Sequence, residues 1–319
     1  MSIVVPVYQG ERTLEPLVGE IEPFTRPSVT PEGRPFQVVE AILVHDAGPD
    51  RSDEVIQRLA ERHPFVRAVW LSRNFGQHPA TLAGVSGSSG DWVVTMDEDG
   101  QHNPADLPRM LDQALRTGAP LVYAKPTNTP PHGFLRNALA RLARWTSVAL
   151  VGRSPLRHFH SFRLVRGDVI RSLAAYCGHG VYLDVALAWV VSDHATCPVE
   201  MRPERSRRSG YGLGSLASHF WRLVLTAGTR PLRLVAILGF LSMFLAAAVT
   251  GSALWGRFRH QIPVPGWTSL FVTVSFFSGA ILFSLGVIAE YLGVTLTMAM
   301  GKPLYLIVSR PAGKGPPAA

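Results

Sequence analysis

Two carboxylates two residues apart, Asp97 and Asp99, lie in the segment Asp91-Trp-Val-Val-Thr-Met-Asp97-Glu98-Asp99-Gly100-Gln101-His102-Asn103-Pro104. With the Gln101 carbonyl they form an all-oxygen donor set. Such a set suits a hard divalent cation, Mg2+ or Mn2+, that carries substrate phosphates. An isolated Asp-x-Asp is more often a solvated turn, so its context decides. Trp92 to Met96 is a short, β-branched apolar run that reads as a strand buried on both faces. It stops at the carboxylates, and Gly100 permits a sharp turn. Ligands of open α/β sheets bind beyond the carboxyl ends of the strands, which is where Asp97 and Asp99 fall.

The elements that must position them alternate along the chain. Strands are expected at Ser2–Val7, Gln37–Val44, Val66–Leu71, Trp92–Met96 and Pro120–Ala124. Helices are expected at Thr13–Phe24, Ser52–Arg62, His78–Ser88 and Asp106–Arg116. This alternation predicts an α/β domain with a mostly parallel, Rossmann-like sheet. No GxGxxG or P-loop follows a strand, so neither a dinucleotide fingerprint nor a Walker fold is supported. The polar endings of three strands share one edge: Tyr8 with Glu11, then Asp46, then Asp97 with Asp99. An aromatic ring and a carboxylate beside a cation site would suit a nucleoside diphosphate, although a strand-terminal Asp such as Asp46 is often only a turn or cap residue.

The chain has 319 residues, 47% of them apolar, distributed unevenly. Leu234–Trp255 and Gln261–Ala289 carry no charge. Twenty-two helical residues span about 33 Å, the hydrocarbon thickness of a bilayer, so two membrane spans are expected. Met1-Ser-Ile-Val-Val-Pro has no basic region or cleavage site, which predicts that no signal peptide is removed. Arg230 and Arg233 before the first span, and Lys302, Arg310 and Lys314 after the second, put both ends in the cytoplasm with Gly256–Pro265 outside. The expected division is a catalytic domain over 1–211, a juxtamembrane helix over 212–230, two spans within 231–293 and a cytosolic tail over 294–319. The net charge of +8 comes without a nucleic-acid motif, and basic residues cluster near the apolar segments. Anionic lipid or phosphate is therefore the expected partner, not nucleic acid. Cys177 and Cys197 lack a CxxC spacing and read as reduced and structural.

Taken together, the motifs resemble family-2 glycosyltransferases of the GT-A fold. Within that family they look most like the membrane-bound polyprenyl-phosphate group, which includes dolichyl-phosphate mannose synthases and undecaprenyl-phosphate sugar transferases. The blocks that carry the resemblance are Ile3-Val-Val-Pro-Val-Tyr8 with Gly10–Leu14, Leu71-Ser-Arg-Asn-Phe-Gly-Gln77, Met96–Gln101 with Asn103-Pro104, and Pro231–Leu234 with Glu290–Gly293 and Lys302–Tyr305. The resemblance implies that Pro6, Tyr8, Glu11 and Asp46, with Asp97 and Glu98, bind the nucleotide sugar. It implies that Asp97, Asp99 and Gln101 bind the metal and diphosphate, and that Asp97, Asp99 and Arg163 serve catalysis. Three positions depart from the family pattern. His45-Asp46-Ala47-Gly48 replaces a paired Asp followed by Gly-Ser, Ser161-Phe-Arg-Leu164 lacks the usual leading carboxylate, and Arg202–Tyr211 is one residue out of step.

The expected acceptor is a lipid monophosphate with a second pKa of about 6. It is largely a dianion near neutral pH, so a cationic socket matters more than a general base. Arg202, Arg205, Arg207 and Arg208 are the candidates for it, with bidentate guanidinium grips; an ordinary basic patch on anionic lipid is the alternative. Phe134, Leu135, Ala138, Leu139, Leu142 and Trp145 share a helical face opposite Arg136, Asn137, Arg141 and Arg144. That pattern predicts an interfacial helix near 133–150, with Leu213–Leu225 a second. His158 and His160 flank an aromatic and read as packing or surface residues. The competing readings are a processive polysaccharide synthase and a catalytically silent lipid-binding scaffold. The sugar, the nucleotide, the prenyl length, Mg2+ against Mn2+ and any homo-oligomer are left open by the sequence.

Overall fold

A computed structural model describes residues 1–128, 159–178, 182–203 and 266–309, with isolated positions between 235 and 255. The first half follows the expected alternation: β1 (Ser2–Val7), α1 (Leu14–Ile21), a small hairpin of β2 (Ser28–Val29) and β3 (Pro35–Phe36), β4 (Glu40–His45), α2 (Ser52–Arg62), β5 (Val66–Leu71), α3 (Gln77–Ser86), β6 (Trp92–Thr95), α4 (Leu107–Thr117) and β7 (Leu121–Pro126). Then come β8 (Arg163–Arg166), α5 (Gly167–Tyr176), α6 (Leu183–Val190), β9 (Ala195–Val199), α7 (Trp267–Ala299) and β10 (Ile307–Val308).

Among the described residues, one sheet has the order β10-β5-β4-β1-β6-β8-β7-β9. The ladders β1–β4, β1–β6, β4–β5 and β7–β9 are parallel, while β8 runs antiparallel to both neighbours and β10 antiparallel to β5. Direction is therefore mostly parallel, as expected, with β8 wedged between β6 and β7. Apolar residues fill both faces of the central strands. Ile3, Val5 and Val7 face the cluster that takes up Leu14, Leu17 and Met110, whereas Val4, Ile42 and Val44 face Ala80, Leu82 and Leu187. Helices cover both faces, which is why these strands read as continuous apolar runs.

β1, β4 and β5 progress to one side, and the chain then crosses back to place β6 on the other side of β1. The crevice at that reversal, at the carboxyl ends of β1, β4 and β6, is where an open α/β sheet binds ligands.

Three expectations are corrected here. The second long strand starts at Glu40, not Gln37, and β8, β9 and β10 had no strand assigned to them. Residues 294–319 are not simply a tail. α7 runs to Ala299, Ile307 and Val308 pair with Leu71 and Trp70, and Leu304 and Tyr305 pack against the core. Among the described residues, one helix, α7, is long and apolar enough to cross a membrane over Phe276–Leu296. Of the first expected span, the described positions Val235, Ile237, Gly239, Leu241, Ser242, Phe244, Ala248, Gly251 and Trp255 are helical. The expected outer loop and both interfacial helices, 133–150 and 213–225, lie outside the described residues.

Candidate active site

β6 ends at Thr95, and the chain turns through Asp97–Gln101 with Gly100 at φ 76°, a left-handed conformation that glycine adopts freely. Asp97, about a quarter exposed, is held from two sides. Gln77 Nε2 donates to its Oδ1 at 2.6 Å, and Ser161 Oγ donates to its Oδ2 at 2.6 Å. Its backbone N–H donates to His102 Nδ1 at 2.9 Å. Asp99 accepts the Gln101 N–H at 2.9 Å within its own loop. Gln101 also accepts, through its backbone carbonyl, the N–H of Arg202 at 3.0 Å.

Desolvation pushes the carboxyl groups of both Asp97 and Asp99 above the ordinary range, and for Asp99 the neighbouring Asp97 charge adds to the rise. Two carboxylates that resist ionising side by side are a site that gains by taking up a cation. Among the described residues no three His, Cys, Asp or Glu side chains form a metal cage. Two carboxylates and a carbonyl are oxygen donors of the kind a hard divalent ion takes. Beneath the loop, His102 stacks on Phe162 with ring centroids 4.8 Å apart and lies 5.4 Å from His160. Burial holds both imidazoles down to about 4, and for His160 the His102 ring adds to the effect. Both are neutral at neutral pH, so His102 can accept the Asp97 N–H.

The other strand ends converge on the same crevice. Glu98 Oε2 and Oε1 accept the N–H groups of Tyr8 and Gln9 at 2.8 and 2.9 Å. Glu98, expected to touch the nucleotide sugar, ties the end of β1 to the end of β6. Asp46 is buried at the end of β4 and accepts the N–H groups of Phe75 and Gly76 at 2.7 and 2.8 Å, shaping the loop before α3. Desolvation raises its pKa against those two bonds. Pro6 and Tyr8 are partly exposed at the end of β1. Glu11 is exposed and faces the loop after β4, with the Arg51 N–H on its carboxylate at 3.4 Å and its own N–H on Asp50 at 3.1 Å. A Cβ on Gly48 would lie 1.6 Å from the Tyr8 carbonyl oxygen. Only glycine lets these two loops approach so closely.

Arg163, expected among the catalytic residues, is buried. Its Nη1 pairs with Asp184, and its Nε donates to Thr95 Oγ1 at 3.0 Å. Facing into the domain, it supports the site and does not line it. Arg202, expected on the acceptor phosphate, has its guanidinium on Glu20 at 2.6 Å and Asn103 at 2.8 Å. Arg205, Arg207 and Arg208 lie outside the described residues. Gln77, His102, Thr95 and Asp184 had no assigned role. Gln77 stood in the Leu71–Gln77 block, but nothing in the local sequence marked Asp184.

The end of α7 meets this same edge. Ile307 pairs with Leu71, the last residue of β5, and the Leu306 carbonyl accepts the Ser72 N–H at 3.0 Å. Gly178, after α5, lies beside Met298, whose atoms fall 3.7–3.8 Å from where a Cβ would stand.

The family model described as glycosyl transferase family 2 matches residues 2–165. The undecaprenyl-phosphate 4-deoxy-4-formamido-L-arabinose transferase of Pseudomonas paraeruginosa is 31% identical, over 96% of this chain and 89% of its own length. The bactoprenol glucosyl transferase of Shigella phage SfX is 27% identical, over 97% of this chain and 99% of its own. The fold is similar to that of glucosyl-3-phosphoglycerate synthase from Mycobacterium tuberculosis, crystallised with Mn2+, UDP-glucose and phosphoglyceric acid. Its TM-score is 0.51 at 21% identity, covering 72% of this chain and 78% of that one.

Proposed function

Because the chain belongs to glycosyl transferase family 2, we propose that it transfers a sugar, with inversion, from a nucleoside diphosphate sugar to a polyprenyl phosphate of the undecaprenyl type. The product would be a polyprenyl-phosphate monosaccharide made at the cytoplasmic membrane face for cell-envelope glycan assembly or modification. One observation carries this reading: the Asp97–Gln101 loop opens at the sheet edge to which α7 returns through β10. Similarity over nearly the whole chain to two lipid-phosphate sugar transferases supports it.

In this reading Asp97, Asp99 and Gln101 would hold a divalent cation, with Asp97 oriented by Gln77 and Ser161 and Asp99 by its own turn. The ion supplies Lewis-acid neutralisation of the leaving diphosphate. Pro6, Tyr8 and Glu11 line the nucleoside side, while Asp46 shapes the loop facing it. The acceptor phosphate is the nucleophile and is mostly dianionic at neutral pH, so its orientation matters more than a base. The Arg202 N–H is bonded to the Gln101 carbonyl. Arg205, Arg207 and Arg208 form the phosphate socket, and Arg202 anchors it to Glu20 and Asn103. Leu234–Trp255 supplies a second membrane span before α7.

The test is incubation of the purified full-length protein with labelled nucleotide sugars, Mg2+ or Mn2+, and a polyprenyl phosphate. An organic-extractable glycolipid is expected, and its loss in Asp99→Ala with the fold intact. A long polymer would favour a processive synthase. No product with any donor would leave only a binding role.

A further inference from the structure

The Asp97 carboxylate is the end of a chain of hydrogen bonds that starts on a helix remote from the metal loop. Asp184, in the first turn of α6, pairs with Arg163 Nη1 and accepts the Tyr123 hydroxyl at 3.1 Å. Arg163 Nε donates to Thr95 Oγ1 at 3.0 Å, and Thr95 Oγ1 in turn donates to the Ser161 carbonyl at 2.6 Å. Ser161 Oγ then donates to Asp97 Oδ2 at 2.6 Å. Thr95 and Arg163 are 2% and 3% exposed, so their bonds are made away from water and each fixes the next group strongly. From the opposite side Gln77, the first residue of α3, closes on Asp97 Oδ1.

Asp97 thus meets two neutral donors, one on each oxygen, from two different parts of the chain. Neutral donors orient a carboxylate without cancelling its charge. A cationic partner in either place would compete with a metal ion, and an anionic one would raise the cost of ionising Asp97 further. We infer that Ser161 and Gln77 are positioning residues that hold Asp97 ready for cation and diphosphate binding, and that the Asp184–Arg163–Thr95 chain sets the Ser161 side of that grip. The inference rests on the metal reading of the Asp97–Gln101 loop given above. It assigns a role to the serine that stands where a carboxylate is usual in the resembling family. It also gives buried Arg163 a task compatible with its lack of access to substrate.

Outer partners of metal ligands typically contribute about 10- to 100-fold in metal affinity. The experiment uses the full-length protein in detergent with Mn2+ alone as probe, its free fraction followed by electron paramagnetic resonance, alongside metal-free melting curves. Ser161→Ala and Gln77→Ala should each weaken Mn2+ about tenfold while leaving metal-free melting near that of the parent. Ser161→Thr, which keeps the hydroxyl, should recover most of the loss. Thr95→Val keeps the shape but cuts the relay, and should weaken Mn2+ several-fold. Parent-like Mn2+ affinity in both Ser161→Ala and Thr95→Val would overturn the positioning role while leaving the metal reading standing. Absence of saturable Mn2+ binding by the parent protein would overturn the metal reading and the grip together.

Discussion

Asp97 and Asp99 share a loop but not an environment, and the difference extends to the residues around them. Asp97 is oriented by side chains, whereas Asp99 accepts from the backbone of its own turn. Beneath them His160 lends Nδ1 to the Phe162 N–H at 3.1 Å and is held down to about 4 by burial and the neighbouring His102. A histidine depressed in the folded state contributes stability that is full above its ordinary pKa of 6.5 and is lost as pH falls from 6.5 toward 4. His160→Asn keeps an acceptor near the Nδ1 position but does not titrate there. Melting curves against pH should show the parent losing on the order of 2 kcal/mol more than the variant across that window; parallel curves would contradict the burial of this imidazole. At the end of β4, Ala47 takes φ 49°, the left-handed region that costs an L-residue about 1–2 kcal/mol. Ala47→Gly relieves this but adds freedom to the unfolded chain. Denaturant titration should therefore find it near neutral, while Gly48→Ala, which drives a Cβ into the Tyr8 carbonyl, should cost about 3 kcal/mol.

Secondary elements explain which of these features could be read from the chain. β1, β5 and α2 matched expectation because their signals are local: a continuous apolar run in β1, a largely apolar run broken only by Arg67 in β5, and a helical period with acidic residues in the first turn of α2. The Asp97–Gln101 turn was legible for the same reason, as a strand end, two carboxylates and a glycine within a few residues. β8 was not, because Arg163-Leu-Val-Arg166 carries charge at both ends. Its arginine at 163 is tolerated in a buried strand only through Asp184, twenty-one residues away. β10 was missed because two residues give no period; its position comes from pairing with an edge that the sequence does not announce. That edge has a consequence. β10 fixes Ser72, the loop continues to Phe75 and Gly76 on Asp46, and Gln77 then reaches Asp97. Ending the chain after Met300 removes this strap and uncovers the core beside Leu304 and Tyr305. Hydrogen exchange should then quicken at Ser72, Phe75 and Gly76, with little change in α2 on the far face; unchanged exchange at those three amides would mean that the loop stands without the strap.

At the scale of the whole molecule, the proposed membrane attachment turns on which edge of the sheet α7 adjoins. Among the described residues, α7 exposes many apolar side chains, including Leu282, Phe283 and Leu292, a surface suited to hydrocarbon. Its last turn meets Gly178 at the end of α5, and the chain then enters β10 beside the end of β5. Both contacts lie at the carboxyl ends of the strands, the edge that carries Asp97. The opposite edge holds the start of β9, preceded by Asp193 and His194. In the proposed reading, a membrane crossed by α7 would lie against the Asp97–Gln101 edge, with Asp193 on the part of the domain turned away from it. Fluorophores attached at Asn74→Cys, in the loop between β5 and α3, and at Asp193→Cys test this in liposomes containing nitroxide-headgroup lipid, with Cys177 replaced by Ala. Because nitroxide quenching is short-ranged, the Asn74 label should dim strongly and the Asp193 label little. Equal quenching, or the reverse order, would place the Asp97 edge away from the bilayer and overturn the proposed transfer to a lipid-borne acceptor there.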